Sequence, residues 1–127
     1  MVAEARTRIR ELSVEAVRAL DPAEVVLVDI RDVRERAKGK IPGSVHAPRG
    51  MLEFWWDPAS PYHRDVFAQP GKTYVLHCAM GWRSALAADT LRGMGFDVAH
   101  MDGGFDAWTA AGGPIAGPEG DDAPREG

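Results

Sequence analysis

The sequence predicts an α/β domain in which a parallel sheet carries helices on both faces. Two observations lead there. Val25-Val-Leu-Val-Asp-Ile30 reads as a continuous apolar run, the mark of a strand buried on both faces, and Thr73–His77 has the same character. Segments with helical spacing separate such runs, and strands that alternate with helices fold as a parallel sheet.

The elements follow in order. A short β segment is expected near Ile9–Leu12. Ser13 caps a helix over residues 14–20, with Glu15 in its first turn, and Asp21-Pro22 breaks it. Asp32 followed by Glu35 fits a capping box for a short helix that Gly39 stops. Ile41-Pro-Gly43 turns into a short strand around Val45-His46. After Thr73–His77, a helix carries Ala87, Ala88, Leu91 and Met94 on one face and stops at Gly95. A third central strand is expected from Asp97 to Met101. Asp102-Gly-Gly104 then turns the chain into a last helix opened by Phe105–Trp108, with Trp108 packed inside. Gly112–Gly127, rich in Gly, Pro and acid, is expected to fray, with one domain over 1–115 and a disordered tail over 116–127.

Composition narrows the function. The chain has 127 residues, enough for one core, and its 45% hydrophobic and 27% charged content suits a soluble globular protein. A net charge of −4 argues against nucleic acid as the main partner. No stretch is long and apolar enough to span a membrane, and the amino terminus lacks the apolar run of a signal peptide. The single cysteine excludes an internal disulfide and suits a reducing compartment, so a cytoplasmic location is the default. His46, His63, His77 and His100 lie far apart, and none pairs with the cysteine at zinc-ligand spacing, so no metal is expected. Five basic residues lie between Arg31 and Lys40, interleaved with Asp32 and Glu35; they read as a solvated face in which Arg31 pairs with Glu35.

That cysteine, Cys78, sits where a strand hands over to a helix, in the run His77-Cys-Ala-Met-Gly-Trp-Arg-Ser84. Strand ends in open α/β sheets are where ligands bind. Backbone N–H groups of the loop and helix start carry partial positive charge that stabilises a thiolate, and Arg83 adds a full charge at the rim. The pattern points to a nucleophilic sulfur. Trp82 reads either as a wall for a second substrate or as a lid on the surface, and Ser84 as an anion donor, a helix cap or both. His77 should face away from Cys78 and bond to backbone, because adjacent strand residues point to opposite faces. Asp29 reads as a structural acceptor for amides. The segment His46–Trp56 reads as a satellite cluster under residues 57–71, with a pocket beside the cysteine loop as the alternative and Arg49 as its anion contact.

Four motifs in order resemble the rhodanese-like domain family: Val28-Asp-Ile-Arg31, Gly39-Lys-Ile-Pro-Gly43, Cys78-Ala-Met-Gly-Trp-Arg-Ser84 and Asp102-Gly-Gly-Phe-Asp-Ala-Trp108. The resemblance covers about residues 9–115, and it departs from the family at Lys40, where a histidine or similar residue is usual. It implies a five-stranded parallel sheet flanked by helices on both faces. It also implies a chemistry without a cofactor. Cys78 takes a sulfane sulfur as a persulfide from a small anionic donor such as thiosulfate. A thiophilic acceptor, cyanide or a thiol, free or on a partner protein, then removes it. The resemblance assigns catalysis to Cys78 and Arg83, and the persulfide cradle to the backbone of Ala79, Met80, Gly81, Trp82 and Ser84. Related domains with five residues between cysteine and arginine act as phosphatases or arsenate reductases. Here Cys78 to Arg83 is C-x4-R, a tighter loop that suits one sulfur atom, although His77-Cys78 echoes the phosphatase pattern. A non-catalytic persulfide carrier or regulatory module is the third reading.

Overall fold

A computed structural model describes residues 2–117. Along them run α1 (Val2–Arg6), β1 (Arg10–Leu12), α2 (Val14–Arg18), β2 (Val25–Asp29), α3 (Val33–Ala37), β3 (Val45–His46), α4 (Leu52–Trp56), β4 (Thr73–His77), α5 (Trp82–Gly93), β5 (Ala99–Met101) and α6 (Gly104–Ala110). Short 3-10 turns lie at Arg49–Met51 and Asp65–Ala68. The strands form one parallel five-stranded sheet in the order β1-β5-β4-β2-β3. The expected architecture is the observed one. Among the described residues no helix is long and apolar enough to cross a membrane.

Alternation along the central strands builds two cores. Val26 and Val28 of β2, with Tyr74 and Leu76 of β4, join Leu52 and Trp56 of α4 and Ala87, Ala88 and Leu91 of α5 on one face. Leu27, Val75, Ala99 and Met101 meet Val14 and Val17 of α2 and Trp108 of α6 on the other. Each fully buried leucine or valine contributes about 2 kcal/mol of transfer free energy. Trp108 also donates its ring N–H to the Pro114 carbonyl at 2.8 Å. Trp56 stacks on Phe67 and meets Tyr74 edge-on, so the aromatic segment does pack under the following loop. Phe54 alone of its three aromatics stays mostly exposed, edge-on to Tyr62.

Local signals act as their chemistry dictates. The Ser13 hydroxyl accepts from the Ala16 amide, and Asp32 and Glu35 close a reciprocal capping box. Helix α5 ends in a Schellman turn: Gly95 takes φ +97°, its amide reaches the Arg92 carbonyl, and the Phe96 amide reaches Leu91. Boundaries move, however. Helix α2 stops at Arg18, β5 begins at Ala99 rather than Asp97, and Met94 forms the exposed end of α5 instead of part of its buried face.

Two expectations are corrected. Residues 112–116 are tied down rather than frayed: the Gly113 amide bonds the Trp108 carbonyl, and Ala116 and Lys40 exchange two backbone hydrogen bonds of 2.8 Å. The rest of the expected tail, residues 118–127, lies outside the described residues. The basic run is not one solvated face, because Arg31 and Lys40 are buried and Arg36 nearly so. Arg31 pairs with Asp29 and not with Glu35. Its guanidinium makes two bonds to that carboxylate (3.0 and 2.9 Å) and a third to the Gly39 carbonyl (2.8 Å), and it lies 4.0 Å from the Phe105 ring centre. A bidentate partner and a π-face replace the water that Arg31 loses.

Candidate active site

Strand β4 delivers Cys78 onto the α5 face of the sheet, beside Tyr74 and Leu76. The loop after it must turn its amides inward and its carbonyls outward. Helix α6 supplies the outward hold: the Phe105 amide donates to the Cys78 carbonyl at 2.7 Å and the Asp106 amide to the Ala79 carbonyl at 2.9 Å. This requires very close approach. Gly104 sits at φ +61°, and a Cβ there would lie 2.4 Å from the Cys78 oxygen and 2.7 Å from that of Ala79. The Asp102-Gly-Gly-Phe motif is therefore a clamp on the cysteine loop.

With the carbonyls held away, amides converge on the sulfur. Of those from Ala79 through Ser84, Gly81 N–H lies 3.1 Å and Ser84 N–H 3.4 Å from Cys78 Sγ. Gly81 reaches its position at φ +99°, where α5 begins. The buried Ser84 hydroxyl is 3.6 Å from Sγ and 3.3 Å from the Gly81 carbonyl. Cys78, Ala79, Met80, Trp82 and Arg83 line an open cavity of about 320 Å³. Met80 and Trp82 stand exposed at its rim, so Trp82 does not fold down as a lid. A smaller hollow of about 200 Å³, between Val25, Val45 and Lys72 at the amino ends of the central strands, is lined by no cysteine, serine or threonine.

Arg83 is shared. Its guanidinium donates two bonds, 2.8 and 2.9 Å, to the Glu35 carboxylate on α3. The pairing raises the Arg83 pKa and lowers that of Glu35. Glu35 thus stands at the site as well as in its capping box, a second role the local pattern does not reveal. Arg49 pairs with Glu53 within its own segment.

The residues behind the loop divide between the two faces. His77 points away from Cys78, as expected, but neither ring nitrogen has a hydrogen-bond partner among the described residues. Burial pushes its pKa down to about 4, against the opposing influence of nearby Asp29. Asp29 itself is held at about 2: burial works to raise it, but Arg31 and the other groups around it prevail. It accepts from the Arg31 and Arg36 guanidinium groups as well as from the Arg31 amide, more than the amide acceptor expected. On the cysteine's own face lies His100, which sequence reasoning left unassigned. Its Nδ1 is 3.0 Å from Ser84 Oγ, and its Nε2 is 2.8 Å from a Glu11 carboxylate oxygen. A histidine inside an otherwise apolar strand is the signal that could have marked it.

The chain is similar to known proteins in sequence and in fold. A sulfurtransferase from Allochromatium vinosum is 34% identical over 115 residues, covering 88% of this chain and 99% of its own. The thiosulfate sulfurtransferase GlpE of Pseudoalteromonas translucida is 36% identical over 98 residues, covering 76% and 85%. A solved protein of unknown function from Rhodopseudomonas palustris, described as a possible tyrosine phosphatase, is 51% identical with a TM-score of 0.83, covering 90% of this chain and 89% of that one. The family model of the rhodanese-like domain matches residues 13–111, and the chain belongs to that family.

Proposed function

We propose that this protein is a sulfurtransferase that moves a sulfane sulfur from an anionic donor of the thiosulfate type to an external thiophilic acceptor through a persulfide on Cys78. The observation that carries the reading is the convergence of the Gly81 and Ser84 amides on Cys78 Sγ at the mouth of a small cavity. Sulfurtransferase names among relatives at 34–36% identity support it. The Cys78 thiolate attacks the outer sulfur of the donor; the S–S bond of thiosulfate breaks and sulfite leaves with the electron pair. The outer sulfur of Cys78–S–S⁻ is then attacked by cyanide or a thiolate, and Cys78 returns as thiolate. Inward amides stabilise an anion in every state of this cycle. Arg83 draws in the donor while Glu35 shares its charge. With one cysteine in the chain, the acceptor comes from outside, and it meets an apolar rim of Met80 and Trp82. A reducing compartment, as in the cytoplasm, suits such a chemistry.

The test is thiocyanate formation from thiosulfate and cyanide. Wild-type protein should turn over, and Cys78→Ala should be inactive with an unchanged denaturation midpoint. The description of the Rhodopseudomonas protein supports a second reading, phosphatase chemistry on the same loop. Faster turnover of an aryl phosphate than of thiosulfate would establish that reading instead.

A further inference from the structure

The geometry points to a proton relay behind the nucleophile: His100, oriented by Glu11, is a positioning residue that exchanges a proton with Cys78 through the Ser84 hydroxyl. The inference rests on the reading of Cys78 as the nucleophile. It starts from a continuous line of contacts. Cys78 Sγ lies 3.6 Å from Ser84 Oγ, which lies 3.0 Å from His100 Nδ1, and His100 Nε2 lies 2.8 Å from Glu11 Oε2. Four segments contribute: the end of β4, the first turn of α5, strand β5 and its neighbour, the edge strand β1. Ser84 and His100 are buried, whereas Glu11 reaches the surface.

The hydrogen-bond directions follow from the charges. Arg6 holds Glu11 ionised with two bonds of 2.8 and 2.9 Å, and it reaches Asp102 at 3.4 Å. An ionised carboxylate only accepts, so His100 carries a proton on Nε2. In neutral imidazole, Nδ1 is then an acceptor, and it takes the Ser84 O–H. The Ser84 oxygen is left to accept from the Cys78 thiol. One concerted shift changes the roles: the thiol proton passes to Ser84 Oγ as the hydroxyl proton passes to His100 Nδ1. The products are a thiolate that receives the Ser84 O–H, and an imidazolium held between Ser84 and the Glu11 carboxylate. No electron is gained or lost, and no proton leaves the protein. The alternative acceptor for the hydroxyl, the Gly81 carbonyl at 3.3 Å, is the more distant one.

The surroundings suit this role. The groups facing His100 are Ser84 from α5 and Glu11 from β1, with Arg6 of α1 behind Glu11, and Gly81 stands next to the ring, so close that a Cβ added there would lie 3.8 Å from the His100 Cε1. Arg8 and Asp89, a further ion pair on this side of the sheet, bond each other rather than the imidazole. A buried histidine held on both nitrogens, one through a hydroxyl to the sulfur and one through an anion to the surface, is built to store a proton near the thiolate.

The test is the pH dependence of Cys78 alkylation by iodoacetamide, which is unambiguous in a chain with one cysteine and does not depend on sulfur transfer. His100→Asn keeps a polar side chain but cannot take a proton; Glu11→Gln keeps an acceptor but removes the charge. In both, and in Ser84→Ala, the rate profile should move to higher pH, with a roughly tenfold slower reaction at neutral pH for His100→Asn. Melting temperatures identify any variant that acts only by loosening the fold. A profile that stays in place in folded His100→Asn and Glu11→Gln overturns the relay. If the profile shifts but wild type transfers no sulfur, the relay stands and the sulfurtransferase reading fails; the reverse result separates them the other way.

Discussion

His77 should make the protein acid-labile well before its carboxylates titrate. The ring is fully enclosed, neither nitrogen has a hydrogen-bond partner among the described residues, and its pKa falls from 6.5 to about 4 chiefly through burial. An unfolded chain binds this proton below about pH 6.5, but the folded chain refuses it until about pH 4. Stability attached to His77 is therefore complete above pH 6.5 and is lost as the pH falls towards 4. Between about pH 7.5 and about pH 4.5 the loss integrates to about 2.5 kcal/mol, at 1.36 kcal/mol for each unit of displacement. Asp29, at about 2, adds its own loss only below its ordinary value of 3.8, outside that window. The perturbation is His77→Leu, which fills a similar volume and leaves no buried nitrogen without a partner. At pH 7.5 the variant should match wild type or gain about 1 kcal/mol. At pH 4.5 its advantage should widen by about 2.5 kcal/mol. Urea denaturation of both proteins at the two pH values reads the difference directly. An advantage that does not change with pH refutes the reasoning.

Three further perturbations test other contacts. Gly104→Ala sets a methyl group 2.4 Å from the Cys78 carbonyl at positive φ, and should cost at least about 2 kcal/mol in denaturation while reducing sulfur transfer. Arg31→Met strands the buried Asp29 carboxylate with Arg36 as its remaining ion-pair partner, and should cost about 3–5 kcal/mol, read as a lowered denaturation midpoint. Glu35→Gln keeps the capping function but frees Arg83; the KM for thiosulfate should fall by up to about fivefold, an effect that added salt erases.

What was legible in the sequence was what neighbouring residues decide. The apolar runs at Val25 and Thr73, the Ser13 and Asp32 caps and the Gly95 stop each depend on a few adjacent positions, and all took the form their chemistry dictates. The strand-to-helix handover at Cys78 and the cavity at its rim follow from the same local grammar. What stayed hidden depends on partners far along the chain. Arg31 and Lys40 look like surface charge until Asp29, Phe105 and Ala116 close around them. Helix α4 combines residues that local spacing left as an aromatic segment, because Trp56 finds Phe67 and Tyr74 only in the folded chain. Glu11, Ser84 and His100 come from separate elements, and no spacing rule joins them.

The central claim is that Cys78 carries the transferred sulfur, and intact-protein mass spectrometry tests it most directly. Fully reduced protein is treated with thiosulfate, measured, and measured again after cyanide. A gain of one sulfur atom that cyanide removes, and that Cys78→Ser never acquires, is the expected result. A wild-type mass unchanged by thiosulfate, or a gain that persists in Cys78→Ser, would contradict it.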